Sequence, residues 1–185
     1  MKKKYRVALF ILPVCISAIF QQCRNLTNEQ NEQTRLPKKT FPEYSIYTNA
    51  ILKTDHSIFR GLNLNVSSAT IKQTETIQPF IEKPDTIEYH YTIDSMVYYT
   101  IRYSLQKDSL EEINVWVYSS NPDISTQIFN ELKEYYRKKL PKPLEDKGYV
   151  VYNCVQGERR PFVVSLSDFS KPSKGQINLI IYKDL

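Results

Sequence analysis

The stretch "TIEYHYTIDSMVYYTIRYSLQKDSLEEINVWVY", residues 86–118, alternates apolar and polar side chains in three runs. The runs cover residues 86–93, 97–105 and 113–118, and each is rich in the aromatic and β-branched residues that favour strands. Because successive side chains of a strand point to opposite faces, the alternation gives each strand one apolar face. The stretch therefore predicts a three-stranded antiparallel meander.

The register of the first two strands follows from the same alternation. A two-residue turn at Asp94 and Ser95 would place Tyr89 opposite Thr100, and the apolar and polar faces would mix. A three-residue loop over 94–96 places Tyr89 opposite Ile101 and keeps all apolar residues on one face. We therefore predict the three-residue loop.

The opposite face of this meander concentrates aromatic and charged side chains. Five of them are candidate binding residues: His90, Tyr98, Arg102, Trp116 and Tyr118. Trp, Tyr and Arg are enriched at the energetically dominant positions of protein interfaces. The alternative interpretation is that these are ordinary strand residues half covered by a neighbouring loop, and both interpretations remain open at this stage.

Elsewhere the chain predicts helices and a second meander. Ser67 can cap a short helix over 68–76, and Asn121 with Pro122 can begin a longer one in "SNPDISTQIFNELKEYYRKKL" (120–140). Strand-like runs follow at 149–155, 162–168 and 177–183. The order predicts an α+β domain of two αβββ units, with an antiparallel sheet and helices on one face.

This element order resembles β-lactamase-inhibitor-like domains and the domains of small lipoproteins of outer-membrane assembly. The segment "FRGLNLNVSSATIKQTE" (59–75) is similar to the opening of small, uncharacterised bacterial lipoproteins. Neither resemblance assigns a role to any residue of this chain.

The N-terminus has the pattern of a secretory signal. "MKKKYR" (1–6) is basic, and "VALFILPVCISAIF" (7–20) is an uncharged apolar run. A membrane-spanning helix needs about 20 apolar residues, and this run is shorter and contains Pro13. A cleaved leader over 1–22 is therefore favoured over an uncleaved anchor.

Cys23 directly follows the apolar run and precedes a long polar segment. This arrangement resembles a bacterial lipoprotein signal, in which the cysteine becomes the first mature residue and carries the lipid. Gln21 and Gln22 replace the small residues of the usual signal, which is similar to the relaxed pattern of Bacteroidetes-type lipoproteins. Plain secretion and an uncleaved anchor remain alternatives.

These features divide the chain into three parts: a signal peptide over 1–22, a lipid-anchored flexible tether over 23–42, and a single α+β domain over 43–185. The tether is polar and lacks apolar periodicity, so it cannot bury enough apolar surface to offset the entropy of ordering. The expected location is the bacterial cell envelope, with the protein anchored to a membrane and either periplasmic or associated with the outer membrane.

Charge argues against a nucleic-acid partner. The chain has 25 basic and 20 acidic residues, and removing the four basic residues of the leader leaves 21 against 20. A nucleic-acid-binding domain is expected to keep a strong positive excess. We therefore expect no nucleic acid among the partners.

Motifs for catalysis or metal binding are missing from the sequence. His56 and His90 stand far apart, and no HxxxH, HExxH or CxxC spacing occurs. Cys154 lies in a strand-like run, where a cysteine is usually a small buried hydrophobe. The sequence indicates no catalytic residue, no metal site and no cofactor.

The expected function is non-catalytic binding of a protein partner or an envelope component. An inhibitor or immunity-type protein is the first alternative, because it also suits a small tethered domain without catalytic motifs. An enzyme of unknown class is the less favoured alternative.

Overall fold

The computed structural model of the chain describes residues 44–154 and 161–184. These residues form three helices and eight strands. The helices are α1 (Ile46–Leu52), α2 (Ser68–Thr74) and α3 (Pro122–Lys139); the strands are β1 (Ile81–Lys83), β2 (Thr86–Thr92), β3 (Val97–Gln106), β4 (Ser109–Ser119), β5 (Leu144–Asp146), β6 (Tyr149–Cys154), β7 (Phe162–Asp168) and β8 (Gly175–Lys183).

All eight strands belong to one antiparallel sheet in the order β1-β2-β3-β4-β8-β7-β6-β5. Each half of the chain forms a meander of consecutive strands, and the two meanders join where β4 pairs with β8. The broad prediction of an α+β domain with an antiparallel sheet is confirmed, although strands dominate the described residues.

The predicted strand register is confirmed. Tyr89 lies opposite Ile101, and the amide of Ile93 donates to the carbonyl of Val97 across the three-residue loop. Asp94 stabilises this loop because its Oδ1 accepts hydrogen bonds from the amides of Met96 and Val97. The alternation of apolar and polar residues therefore predicted the register of β2 and β3 correctly.

The two predicted helices are also confirmed, with their caps. The Ser67 side chain accepts from the amide of Thr70 at the start of α2, and Asn121 accepts from the amide of Asp123 at the start of α3. Three short elements were not predicted: α1, β1 and β5. Each of the two edge strands is three residues long, which is too short for a readable alternation.

The core combines buried apolar residues of the sheet with buried residues of the helices. From α3 it includes the buried residues Ile128, Leu132, Tyr135 and Tyr136. This helix packs against β4, β7 and β8. The Tyr152 hydroxyl donates to the carbonyl of Lys133 at 2.7 Å, which ties β6 to the same helix.

Gly175 sets the contact between α3 and the start of β8. A Cβ added to Gly175 would lie 1.6 Å from Ser125 Oγ and 2.5 Å from Ser125 Cβ. No side chain fits at that distance. The glycine therefore allows the first turns of α3 to lie directly on the sheet.

A buried ion pair joins the segment after α1 to α2. Arg60 and Glu75 are almost fully buried, and the guanidinium donates twice to the carboxylate, at 2.9 Å from Nε and 2.7 Å from Nη2. The same carboxylate accepts from the hydroxyls of Tyr91 and Tyr103. Arg60 also donates to the carbonyl of Ile51, so both charges are surrounded by partners.

The pKa of Glu75 reflects this environment. Burial acts to raise it, but the hydrogen bonds and positive charge of Arg60 and the hydroxyl of Tyr103 outweigh burial and hold the pKa below its ordinary value. The carboxylate is therefore ionised at neutral pH although it lies in the core.

The predictions for the leader, the lipid on Cys23 and the tether concern residues 1–43, which lie outside the described residues. Among residues 44–154 and 161–184, no helix is both long enough and apolar enough to span a membrane.

Candidate binding face

The five candidate residues lie on the same face of the sheet, which we call the candidate face: His90, Tyr98, Arg102, Trp116 and Tyr118. They come from β2, β3 and β4 and occupy the positions that alternate with the buried core residues. Strand pairing places Tyr98 opposite Tyr118, and Thr100 opposite both His90 and Trp116. The structure thus brings all five together.

The second meander extends this face because β4 pairs with β8. One row of paired residues crosses six strands from β2 to β6: His90, Thr100, Trp116, Asn178, Ser167 and Tyr149. Asn178 lies beneath the surface and donates to Asn114 Oδ1 at 2.8 Å. Within this row, Trp116 is therefore flanked by the uncharged polar residues Thr100 and Asn178.

The aromatic rings of the face contact one another in series. Tyr98 stacks on Tyr118 with centroids 4.8 Å apart, and Trp116 lies 6.3 Å from Tyr118. On the other side of Trp116, the ring of Phe169 lies at 5.7 Å, and Tyr149 meets Phe169 edge to face. These contacts place the rings side by side in one continuous row.

Several of these rings still present much of their surface to solvent. Tyr98, Phe169 and Tyr149 are 46%, 41% and 46% exposed, whereas Trp116 and Tyr118 are half-buried between them. Large rigid side chains that are already ordered lose little conformational entropy when a partner covers them. The candidate face therefore presents exposed aromatic rings whose positions are already set by contacts with neighbouring rings.

A charged cluster borders the aromatic centre. Glu88 is 8% exposed, and its carboxylate accepts from Arg102 Nε at 2.8 Å and lies 2.7 Å from His90 Nε2. The ring of His90 also stacks on Phe80 at 4.1 Å. Burial acts to raise the pKa of Glu88, but its hydrogen bonds to His90 and Arg102 lower it below the ordinary value.

The charged cluster orients the side chains of His90 and Arg102. The carboxylate of Glu88 fixes the positions of both His90 and Arg102, and about half of the Arg102 side chain remains exposed at 57%. An ordered, partly exposed guanidinium is suited to donating hydrogen bonds to a partner. The cluster therefore supplies a polar rim beside the aromatic centre.

The remaining residues singled out from the sequence lie apart from this face. Cys154 is buried at the end of β6, and burial raises the pKa of its thiol to about 11, so the prediction of a packed cysteine is confirmed. His56 lies in the segment after α1, where its neighbour Asp55 pairs with Lys139 at 3.0 Å. Among the described residues, no three His, Cys, Asp or Glu side chains form a group that could hold a metal.

Phe169 and Tyr149 were missed as members of the face. Their positions could be assigned only after the pairing of β4 with β8 was known, because that pairing sets which face of the second meander continues the first. The available signals were Tyr149 at the start of one strand-like run and Phe169 directly after another.

Comparison of the chain with protein-family models, with curated proteins and with solved structures gave no match. The described residues thus define an α+β domain with an antiparallel eight-stranded sheet.

Proposed function

We propose that this domain is a non-catalytic binding module that holds a protein partner of the bacterial envelope through the candidate face. The observation that supports it is the row of mutually packed aromatic rings centred on Trp116, whose outer members are close to half exposed. Contacts at the centre of protein interfaces are typically made by rigid Trp, Tyr and Arg side chains.

The composition of the face suits a protein partner. The rings of Tyr98 and Tyr118 stack on each other, so their edges and hydroxyls are available to a partner more than their planar faces. Arg102 and His90 lie at one side as an ordered polar rim. An aromatic centre with a polar rim is the usual arrangement of a protein interface.

We further propose that the helices cover only the other face of this sheet, within two helix-and-meander units. Two contacts support this arrangement. Ser125 of α3 packs on Gly175. Arg60, from the segment between α1 and α2, donates to the hydroxyl of Tyr99 on the core side of β3. The candidate face would then be free of helices, and its exposed rings would be accessible to a partner.

The proposed location is the surface of an envelope membrane, with a lipid on Cys23 and residues 24–42 as a tether. The short apolar run and the cysteine after it support this proposal. A tether of this length would let the domain bind partners near the membrane without being part of it.

The proposal is tested by comparing variants in crosslinked capture from intact envelopes. A partner recovered with the unaltered chain should be lost with Trp116→Ala and reduced with Tyr98→Ala. Tyr182→Ala is the matched control, because Tyr182 is 37% exposed on the same face but lies opposite Glu112, away from Trp116. Equal recovery with all three variants would contradict the proposal.

A further inference from the structure

The aromatic rings at the centre of the candidate face stand nearly parallel to one another. The ring planes of Tyr98 and Tyr118 are 15° apart, and those of Trp116 and Tyr118 are 20° apart. Because Tyr118 on β4 covers one side of the Tyr98 ring, the other side points toward β2. The residue opposite Tyr98 on β2 is Thr92, which is itself exposed and too short to cover a ring. A ligand can therefore reach one planar surface of Tyr98, which is 46% exposed.

The same arrangement repeats at Trp116. Phe169 lies on one side of the indole, with ring centroids 5.7 Å apart, and the residue opposite Trp116 on β3 is Thr100. Short side chains thus follow a diagonal across three strands: Thr92 on β2, Thr100 on β3 and Asn114 on β4. We call the surface above these three residues the diagonal groove.

Larger side chains flank the diagonal groove on both sides. The strand register places Tyr98 and Trp116 along one side, and His90 and Arg102 along the other. Neighbouring strands lie about 4.8 Å apart, and alternate residues of a strand about 6.8 Å apart, so the groove is about 17 Å long. The groove therefore has the length of an extended peptide segment of about five residues.

The polar atoms beside the groove are mostly hydrogen-bond donors. Within residues 44–154 and 161–184, the indole N–H of Trp116 and the hydroxyl of Tyr98 have no acceptor. Arg102 donates to Glu88 through Nε alone, which leaves its two terminal nitrogens available. The carboxylate of Glu88 is already engaged, since one oxygen contacts Arg102 and the other contacts His90. The groove is therefore richer in donors than in free acceptors.

A polyproline II backbone is complementary to such a surface. It has no internal hydrogen bonds, so its carbonyls are free to accept, and proline has no N–H that would require an acceptor. The carbonyls of an α-helix are already bonded within the helix, and a β-strand joins a sheet at its edge. Proline-rich segments are typically bound in grooves lined by aromatic side chains.

We propose that the diagonal groove binds a proline-rich segment of the partner in the polyproline II conformation, an inference that rests on the proposed function. One proline would pack on Tyr98 and another on Trp116, while Trp116 and Arg102 donate to carbonyls of the segment. Tyr98 and Trp116 are diagonal neighbours on paired strands, about 7–8 Å apart. One turn of polyproline II is about 9.3 Å, so prolines three positions apart match the two rings.

The fluorescence of Trp116 reports the groove directly, because the chain has one tryptophan. Titrating the full chain with hexaproline should shift the emission to shorter wavelengths, since the prolines displace water from the indole. We expect saturation at one peptide per chain. A hexapeptide of alternating glycine and serine is the control ligand and should bind at least about tenfold more weakly, because it is not pre-organised. Equal affinity for both peptides, or no change up to about 1 mM hexaproline, would overturn the proposal.

Three variants, measured by titration calorimetry, test the assigned contacts. Tyr98→Ala should weaken hexaproline binding at least about tenfold. Tyr182→Ala is the matched control and should bind like the unaltered chain, because Tyr182 is exposed on the same face but lies opposite Glu112. Trp116→Phe keeps a ring but removes the N–H, so it should weaken binding about fivefold. Equal affinity of folded Tyr98→Ala and Tyr182→Ala, or no effect of Trp116→Phe, would contradict the proposed mode of binding.

The failure of this inference differs from the failure of the proposed function. If hexaproline does not bind but the partner captured from envelopes is lost with Trp116→Ala, the proline-rich ligand is overturned and the proposed function stands. If hexaproline binds in a manner that needs Tyr98 but capture of the partner does not need Trp116, the groove is supported as a site for proline-rich segments and the proposed function is contradicted.

Discussion

At the residue scale, Arg60 and Glu75 form a buried ion pair between the segment after α1 and the end of α2. The two residues are separated by 15 positions and lie in a polar-looking stretch, where a charged side chain is usually exposed. Their burial follows from contacts with Tyr91 and Tyr103, which come from the sheet. Only the three-dimensional arrangement brings these groups together, so periodicity carries no signal for them.

Replacing Glu75 should destabilise the domain and change its pH dependence. Glu75→Gln leaves the buried guanidinium without its counter-charge, and we expect a loss of about 3–5 kcal/mol at neutral pH. A carboxylate whose pKa is lowered on folding stabilises the folded state above its unfolded pKa. That contribution disappears as pH falls through the folded value.

The measurement is urea unfolding of both proteins between neutral and acidic pH. The two proteins should differ most in free energy of unfolding near pH 7. This difference should shrink as pH falls below 4.5, the ordinary pKa of a glutamate carboxyl group. Glu82→Gln is the control, because its exposed pair with Lys72 should change stability little. A constant difference across the range would show that the ionised form of Glu75 is not what stabilises the core.

At the element scale, the sequence predicted the long strands well and the short ones not at all. The alternation in β2 and β3 was long enough to fix the register through parity, with Tyr89 opposite Ile101. β1 and β5 have only three residues each, which is too few to show an alternation of apolar and polar side chains. Their pairing depends on the longer strand beside each of them. The helix α1 spans seven residues and carries the weakly apolar sequence IYTNAIL, which predicts no clear stripe.

The close contact between α3 and β8 should make Gly175 intolerant of substitution. Gly175→Ala places a methyl group on Ser125, and we expect a loss of about 1–3 kcal/mol, typical of overpacking. Denaturant unfolding measures this loss of stability. Because Ser125 supplies both of the closest atoms, adding Ser125→Gly should cost less in the Gly175→Ala background than in the unaltered protein. Simple additivity of the two changes would contradict this contact.

At the scale of the whole molecule, the pairing of β4 with β8 could not be predicted. Each meander pairs strands that are neighbours in sequence, and it follows from the alternation of apolar and polar residues in those strands. No sequence feature indicates which strands join the two meanders. The junction decides that Phe169 and Tyr149 extend the row of rings around Trp116. The first part of the candidate face was therefore predictable, and its extension was not.

Membrane anchoring is tested separately from folding. We expect the unaltered chain to sediment with membranes and Cys23→Ala to appear in the soluble fraction, because the cysteine would carry the lipid. Cys154→Ala is the matched control, since that thiol is buried in β6 and should not affect fractionation. Release of both variants, or of neither, would contradict a lipid on Cys23.

The most direct test of the binding face is the affinity of Trp116→Ala for the partner recovered by crosslinking from envelopes. Circular dichroism and melting of the variant should first show the unaltered fold. We then predict a loss of affinity of more than about tenfold, while Tyr182→Ala binds normally. Unchanged affinity of a folded Trp116→Ala variant would contradict the account, and the aromatic row would then serve only to stabilise the sheet.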